Sequence, residues 1–159
     1  MILYETRDLL LSDCNIICHQ INCTSTTWSG FAKVLFEKYP ETNLYSNSKI
    51  KRELCNIYIN EINKNLTVIH LAGQLNPGKV DISSTQYFAR KEAFRLCLNK
   101  LSSYCIKLNP TKLTKIGFPY LIGCGLAGGI WTEYEEMLME FESKLIARDV
   151  NFVVELHKL

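Results

Sequence analysis

Apolar runs typical of buried strands alternate along this chain with segments whose apolar residues recur at helical spacing. Five runs of the strand type lie at residues 14–19, 54–59, 66–72, 114–122 and 151–156. Strands joined through a helix pair in parallel, because the helix returns the chain to the same end of the sheet. The alternation therefore predicts an α/β sandwich with a largely parallel sheet.

Two helices are predicted between these strands in the first two thirds of the chain. The first extends from about Ser29 to Tyr39, where Pro40 ends it. Its expected buried face consists of Phe31, Val34, Leu35 and Lys38. The second extends from about Ser84 to Cys105. Helical spacing gives the second helix an apolar face of Phe94, Cys97, Leu98, Leu101 and Cys105.

A third helix is predicted to begin near Thr132. Thr132 and Glu135 fit a capping box, in which each side chain accepts a hydrogen bond from the other residue's backbone N–H. Glu133 adds negative charge near the positive end of the helix dipole. The expected buried face consists of Tyr134, Met137, Leu138, Phe141 and Leu145.

The composition fits one globular domain spanning residues 1–159. Hydrophobic residues make up 47% of the chain, and the formal net charge is +2. This charge argues against a nucleic-acid partner, because polyanion binders concentrate basic residues. We find neither a membrane span of roughly 20 apolar residues nor a signal-peptide pattern. The seven cysteines are odd in number and several lie in apolar runs, as in reduced cytoplasmic or nucleocytoplasmic proteins. We expect a monomer without metal or cofactor.

Two strand-to-helix loops have the composition of an anion-binding site. The first spans residues 19–32. The second spans residues 122–131 and contains four of the chain's eight glycines, Gly123, Gly125, Gly128 and Gly129. Open α/β sheets bind ligands beyond the carboxyl ends of their strands, and helix N-termini offer free N–H groups to an anion. Two such loops facing each other suit a diphosphate, and simple tight turns are the alternative.

Four segments of the chain resemble the macrodomain family of ADP-ribose-binding modules. They are residues 7–10, residues 19–23 with 29–32 and 37–40, residues 70–74, and residues 118–129 with Trp131. The last, with its Gly-Cys-Gly-Leu-Ala-Gly-Gly motif, is the most specific. The resemblance extends from Tyr4 to Leu156. It implies a single macrodomain, a three-layer α/β/α sandwich with a mixed, largely parallel central sheet.

The resemblance also implies an ADP-ribose cleft. Asp8 would accept a hydrogen bond from the adenine amino group, with a turn cap as its alternative role. Asn22 would contact the distal ribose, and Leu126 would pack near it. Backbone N–H groups of residues 29–32 and 123–128 would hold the diphosphate. The expected ligand-binding residues are Asp8, Leu9, Gln20, Asn22, Trp28, Ser29, Gly30, Phe31, Ala32, Gln74, Gly123, Cys124, Gly125, Leu126, Ala127 and Gly128.

His19 is the candidate catalytic residue. The chain is most similar to the branch of yeast-type ADP-ribose 1″-phosphate phosphatases and to the related branch with the Gly-Cys-Gly-Leu-Ala-Gly-Gly-x-Trp loop. In the phosphatases a histidine occupies the strand end that His19 matches, and a tryptophan precedes small residues as Trp28 does here. Imidazole can act as nucleophile or general acid/base on a terminal phosphate, because it titrates near neutral pH. A buried histidine bonded to a backbone carbonyl is the alternative.

Two positions depart from the glycohydrolase branch, which releases ADP-ribose from acidic side chains or DNA. Its lysine and aspartate correspond here to Gln74 and Ala127, so the expected covalent lysine and its acid/base partner are missing. We therefore predict a protein that binds ADP-ribose and hydrolyses ADP-ribose 1″-phosphate to ADP-ribose and phosphate. The alternatives are a non-catalytic ADP-ribose reader and a hydrolase that removes ADP-ribose from modified macromolecules.

Cysteines suggest other chemistry at two places in the chain. A zinc site of Cys14, Cys18, His19 and Cys23 is disfavoured, because strand alternation turns Cys14 and Cys18 away from His19. Cys124 lies between glycines, where a helix start would stabilise a thiolate. A small residue tolerated in a tight loop is the simpler interpretation of Cys124.

The remaining titratable residues are expected to be structural. His70 lies on a predicted strand and is expected in the core or at the strand end. His157, close to the end of the sequence, is expected to be exposed. Lys49, Lys51 and Arg52 form a small basic patch, which is more often a solvated face than a nucleic-acid site.

Overall fold

The computed structural model describes all 159 residues, Met1–Leu159. Its strands are β1 (Leu3–Thr6), β2 (Ile16–Asn22), β3 (Ile57–Asn63), β4 (Leu66–Gln74), β5 (Thr114–Pro119) and β6 (Phe152–Lys158). Its helices are α1 (Gly30–Lys38), α2 (Thr85–Leu108) and α3 (Trp131–Ala147). None of these helices combines the length and the apolar character that crossing a bilayer requires.

The six strands form one sheet in the order β1-β6-β5-β2-β4-β3. Five of them pair in parallel, and β3 runs antiparallel to β4 at one edge. Helix α1 covers one face of the sheet, and α2 and α3 cover the other. The prediction of a three-layer α/β/α sandwich with a mixed, largely parallel sheet is confirmed. Because β2 and β5 are neighbours with the same direction, the two loops that follow them lie side by side.

The apolar faces predicted for α2 and α3 are confirmed, since all ten residues are buried. The face predicted for α1 is wrong in part. Helix α1 buries Ala32, Leu35 and Phe36, whereas Val34 is 47% exposed. The ring of Phe36 packs edge-on against His19 and Tyr45. These aromatic contacts turn Phe36, and with it the neighbouring positions, toward the sheet.

The capping box predicted at Thr132 and Glu135 is wrong. Helix α3 begins at Trp131, and Ile130, which precedes it, makes no side-chain cap. The Ile130 N–H instead donates to the hydroxyl of Tyr87 on α2 at 3.1 Å, and this hydroxyl donates to Glu133 Oε2 at 2.6 Å. A residue 43 positions away therefore caps the helix.

Two strand boundaries differ from the prediction because of left-handed residues. Strand β3 begins at Ile57 rather than at residue 54, since Cys55 has φ 71°. Strand β5 ends at Pro119 rather than at residue 122, since Leu121 has φ 63°. Neither φ value is compatible with a strand. The chain turns at Leu121 and enters the glycine-rich loop.

All seven cysteines are free. Cys18 lies in the core beneath α2 and α3, as strand alternation predicts. Cys14 lies on the α1 side of the sheet, the same side as His19, so the prediction for Cys14 is wrong. Strand β2 begins only at Ile16, and alternation does not extend to a residue outside the strand.

Candidate functional site

A cleft of about 510 Å³ opens at the carboxyl ends of β2 and β5. The loop from β2 to α1 forms one wall, and residues 119–127 form the other. The structure brings most of the predicted site residues together in this cleft. Those that line it are His19, Gln20, Asn22, Trp28, Ser29, Gly30, Phe31, Ala32, Gln74, Gly123, Gly125, Leu126 and Ala127.

Four predicted ligand-binding residues lie outside this cleft. Asp8 and Leu9 line a smaller pocket of about 240 Å³, which shares Phe31, Pro119 and Tyr120 with the cleft. There Asp8 Oδ1 accepts a hydrogen bond from the Leu10 N–H at 2.9 Å, so Asp8 does cap a turn. The other two residues are Cys124 and Gly128.

The backbone N–H groups of Cys124 and Gly128 are occupied within the loop. They donate to Leu121 O at 2.8 Å and to Gly125 O at 3.2 Å. Burial, with the nearby carboxylate of Glu133 as a smaller cause, raises the pKa of Cys124 to about 12. Cys124 therefore carries a protonated thiol packed against the core, which is the simpler of the two interpretations.

The first helix presents unpaired donors to the cleft. Ser29 precedes α1 and makes no side-chain cap, and the N–H groups of Gly30, Phe31 and Ala32 have no acceptor within the protein. The first N–H groups of any helix lack an acceptor in the preceding turn. Here no side chain fills that role, so three N–H groups and the positive end of the helix dipole remain free for an anion.

The glycine-rich loop presents a second set of unpaired donors. The N–H groups of Gly125, Leu126 and Ala127 have no acceptor within the protein. Gly123 adopts φ +77°, and a Cβ built there would lie 2.5 Å from the ring of Tyr134. Only glycine allows this approach, which holds the loop against α3.

The residues that carry the two sets of donors line the same cleft. Gly30, at the start of α1, has φ +60°, and a Cβ built on it would lie 3.4 Å from Cδ1 of Leu126. The helix start and the glycine-rich loop are therefore in van der Waals reach at their nearest points. An anion with oxygens on two sides can accept hydrogen bonds from both.

Arg90 on α2 holds the glycine-rich loop in place, and the sequence interpretation missed it. Its guanidinium donates to Gly78 O at 2.6 Å, to Asn76 O at 2.9 Å and to Ala127 O at 3.1 Å. The side chain is buried, and burial lowers the pKa of Arg90 from its usual value. Arg90 stands four positions before Phe94, on the apolar face of α2. A charged residue on an apolar helix face is the sequence signal that could have identified it.

Arg52 has the same role for the first loop, so its assignment to a solvated basic patch is wrong. It donates to Asn22 O at 2.9 Å and to Ser25 O at 2.7 Å. Its guanidinium lies 4.4 Å from the ring centre of Tyr45. Asn22 completes this arrangement, since its Oδ1 accepts from the Ser25 N–H at 2.8 Å and its Nδ2 donates to Tyr45 Oη at 3.2 Å.

His19 lies at the floor of the cleft and contacts a second imidazole. Its Nε2 is 2.7 Å from Nδ1 of His70, and Nε2 of His70 is 2.7 Å from Oδ1 of Asn60. Since Asn60 Oδ1 can only accept, His70 donates through Nε2 and accepts at Nδ1. His19 then donates through Nε2 and carries its lone pair on Nδ1, which has no partner within the protein. His70 is fully buried, as expected from the sequence.

Burial keeps both imidazoles neutral. Burial lowers the pKa of His70 to about 3. Burial, with the neighbouring His70 as a smaller cause, holds the pKa of His19 well below its usual range. At neutral pH, His19 is therefore a hydrogen-bond acceptor and a potential base, with no proton to give from Nδ1.

No charged side chain lines the cleft. Gln74 accepts from Gln20 Nε2 at 2.7 Å and donates to Asn76 O at 2.9 Å, so its amide is bonded within the protein. The environment of the cleft therefore consists of backbone N–H groups, amides, hydroxyls and aromatic rings.

His157 is buried, so its predicted exposure is wrong. Strand β6 pairs with β1 on one side and with β5 on the other, so the residue lies inside the sheet, and its imidazole contacts Cys14 and Glu155. His157 lines the smaller pocket together with Asp8.

No protein-family model and no curated protein matches the chain. Several solved structures, in contrast, are similar to it over most of its length. A protein of unknown function from Bacteroides thetaiotaomicron is similar with a TM-score of 0.71 and 24% identity, over 100% of this chain and 98% of that one. The macrodomain of Mycobacterium tuberculosis DarG is similar with a TM-score of 0.72 and 20% identity, over 98% and 97%.

A third similar structure is the macrodomain of Trypanosoma brucei in complex with ADP-ribose. It has a TM-score of 0.71 and 12% identity, over 98% of this chain and 62% of that one. At these identities the likeness concerns the course of the backbone. The order of the strands, the three layers and these superpositions agree: the chain has the macrodomain fold.

Proposed function

We propose that this chain binds ADP-ribose in the cleft between β2 and β5. One observation carries the proposal: the unpaired N–H groups of residues 30–32 and those of residues 125–127 belong to residues that line one cleft. A diphosphate between them would accept hydrogen bonds on both sides without a lysine or arginine. The similar macrodomain of Trypanosoma brucei has been solved with ADP-ribose, which supports this choice of ligand.

The two ends of the ligand have different surroundings in this proposal. The adenine would enter the smaller pocket, where Asp8 still has one carboxylate oxygen for the adenine amino group. Phe31 and Tyr120 line both pockets and would contact the nucleoside. The distal ribose would lie near Asn22 and Leu126 at the other end of the cleft.

Binding without catalysis is the function that the geometry supports best. The cleft has no carboxylate, lysine or arginine to act on a substrate, and Gln74 replaces the lysine expected of a glycohydrolase. We therefore propose an ADP-ribose reader, whose natural ligands include free ADP-ribose and ADP-ribosylated proteins.

Hydrolysis of ADP-ribose 1″-phosphate is the second candidate, and the position of His19 favours it. The neutral His19 lines the cleft with an unpaired Nδ1. In this reaction Nδ1 would take a proton from water as the water oxygen attacks phosphorus. The bond between phosphorus and the C1″ oxygen would break, and that oxygen would take a proton from solvent.

The charge of one loop residue tests the binding proposal. A Cβ at Gly125 meets nothing within 4 Å, and its φ is not left-handed, so side chains fit there. We expect Gly125→Glu to weaken ADP-ribose binding at least tenfold in calorimetry, since its carboxylate would face the diphosphate. Gly125→Gln has the same size without the charge and should bind more tightly than Gly125→Glu. Equal affinities, or no heat with the native protein at millimolar ADP-ribose, would contradict the proposal.

Phosphate release separates the two candidates. The native protein and a His19→Gln variant are incubated with ADP-ribose 1″-phosphate, and ADP-ribose affinity is measured on both. A reader releases no phosphate above the uncatalysed rate. A phosphatase of the second kind releases phosphate, and His19→Gln abolishes the release while ADP-ribose still binds.

A further inference from the structure

A second cluster of reactive side chains lies outside the cleft, on the α1 side of the sheet. Cys14 Sγ is 3.4 Å from Glu155 Oε1 and 3.6 Å from His157 Nε2, and the last two atoms are 2.9 Å apart. All three residues are buried. Glu155 and His157 are two positions apart on β6, so both side chains leave the same face of the sheet.

The local backbone leaves room for this cluster. Cys14 lies over Gly117 of β5, where an added Cβ would be 2.7 Å from the Cys14 sulfur. The glycine therefore lets the sulfur approach the sheet. The charge of Glu155 is partly balanced by Lys115, whose Nζ lies 3.8 Å from Glu155 Oε2.

Three atoms of metal-ligand type meet in this cluster, within 4.8 Å of one another. A single oxygen, Glu155 Oε1, faces both the thiol and the imidazole. Nδ1 of His157 is buried without any partner. The ring atom that faces the other two side chains is Nε2, so Nε2, and not the unpartnered Nδ1, is the candidate ligand atom.

We propose that Cys14, Glu155 and His157 bind a zinc ion. A tetrahedral zinc ion with bonds of about 2.3 Å to sulfur and about 2.0–2.1 Å to nitrogen and oxygen separates its ligand atoms by roughly 3.3–3.6 Å. The observed separations of 3.4, 3.6 and 2.9 Å require only the imidazole and carboxylate to move apart slightly. A thiolate and an imidazole favour zinc over magnesium or calcium.

The charges of the proposed ligands also match the charge of a zinc ion. A thiolate and a carboxylate together neutralise the two positive charges of zinc, which makes burial of the ion acceptable. The protein would supply three ligands, and a water molecule would complete the tetrahedron. Because Cys14 and Glu155 are 141 residues apart, the ion would join the segment before β2 to β6.

The metal content of purified protein tests the proposal. Protein is incubated with zinc, desalted and measured by mass spectrometry of the metal. We expect about one zinc ion in the native protein, less than a tenth of that in Cys14→Ser, and one in Cys105→Ser, which replaces another buried cysteine. Free zinc at about a hundred times its Kd should raise the Tm of the native protein by roughly 5–10 °C. Native protein without zinc, or Cys14→Ser with a full equivalent, would overturn the proposal.

Cobalt provides a readout that does not depend on a variant that folds. One equivalent of Co²⁺ added to the native protein should produce a thiolate-to-cobalt charge-transfer band, and added zinc should remove it. Absence of this band would show that Cys14 does not bind a metal, and the proposal would fail.

Discussion

His19 and His70 are in contact because β2 and β4 pair in parallel with these two residues opposite each other. The sequence suggested either a catalytic role for His19 or a bond to a backbone carbonyl. The partner is instead another imidazole, itself bonded to Asn60 of β3. Register between strands 51 residues apart creates this chain of hydrogen bonds, and no local pattern contains that information.

The protonation of His19 is a prediction at the scale of a single residue. Since burial holds its pKa well below the usual range, we expect the His19 ring to remain neutral between pH 5 and 8. Nitrogen-15 NMR of the histidine rings should show unprotonated Nδ1 and protonated Nε2 throughout this range. A titration with a midpoint near 6.5 would contradict the proposed arrangement.

Elements of secondary structure were predictable wherever their cause was local. The helical spacing of Phe94, Cys97 and Leu101 predicted the buried face of α2 correctly, because amphipathic spacing depends on near neighbours. The start of α3 was predicted to within one residue, but its cap was not predictable in the same way. Its cap comes from Tyr87 on another helix, while Thr132 and Glu135 match a local pattern that the structure does not use.

The cap of α3 can be tested with two substitutions. Tyr87→Phe removes the hydroxyl that accepts from Ile130 and donates to Glu133, so we expect a loss of about 1 kcal/mol in the free energy of unfolding. Thr132→Ala removes the side chain of the incorrectly predicted cap and should change the free energy of unfolding by less than about 0.5 kcal/mol. Urea unfolding measures the effect of both substitutions. A larger effect of Thr132→Ala than of Tyr87→Phe would contradict this assignment and support the capping box.

Arg90 links α2 to two loops, and its removal should affect both stability and binding. Arg90→Ala leaves three carbonyl groups without their donor, and we expect a loss of about 2–4 kcal/mol in unfolding free energy. ADP-ribose affinity should fall as well, because the loop that contains Ala127 loses its tether.

A matched control for Arg90 lies on the same helix. Arg95 is exposed and pairs with Glu92 and Glu140, so Arg95→Ala should cost less than about 1 kcal/mol and leave binding unchanged. If the two variants behave alike in denaturation and calorimetry, the tether has no special role.

The stability of the whole molecule should decrease in mild acid. The pKa of His70 is about 3 in the folded protein, whereas an unfolded histidine titrates near 6.5. The unfolded chain therefore binds a proton that the native protein does not, and stability falls as the pH drops from 6.5 toward 3. The slope is about 1.4 kcal/mol per pH unit for each such histidine.

Replacing one histidine isolates its share of this effect. Between pH 7 and pH 5, His70→Gln should lose about 2 kcal/mol less of its unfolding free energy than the native protein loses. Urea denaturation at both pH values measures the difference. Parallel losses in the two proteins would show that the neutral imidazole of His70 is not the cause.

The proposed contacts with the diphosphate come from the main chain, and this affects how such a protein can evolve. Every residue except proline has an N–H group, so residues 31–32 and 125–127 can change to other uncharged residues while the donors remain. Selection would act instead on residues that shape the loops, such as Gly123 against Tyr134 and Arg90 beneath Ala127. The identities of 12–24% to the similar structures show that this fold persists while the sequence changes widely. Among such proteins, the residues that vary least would then be residues that do not contact the ligand.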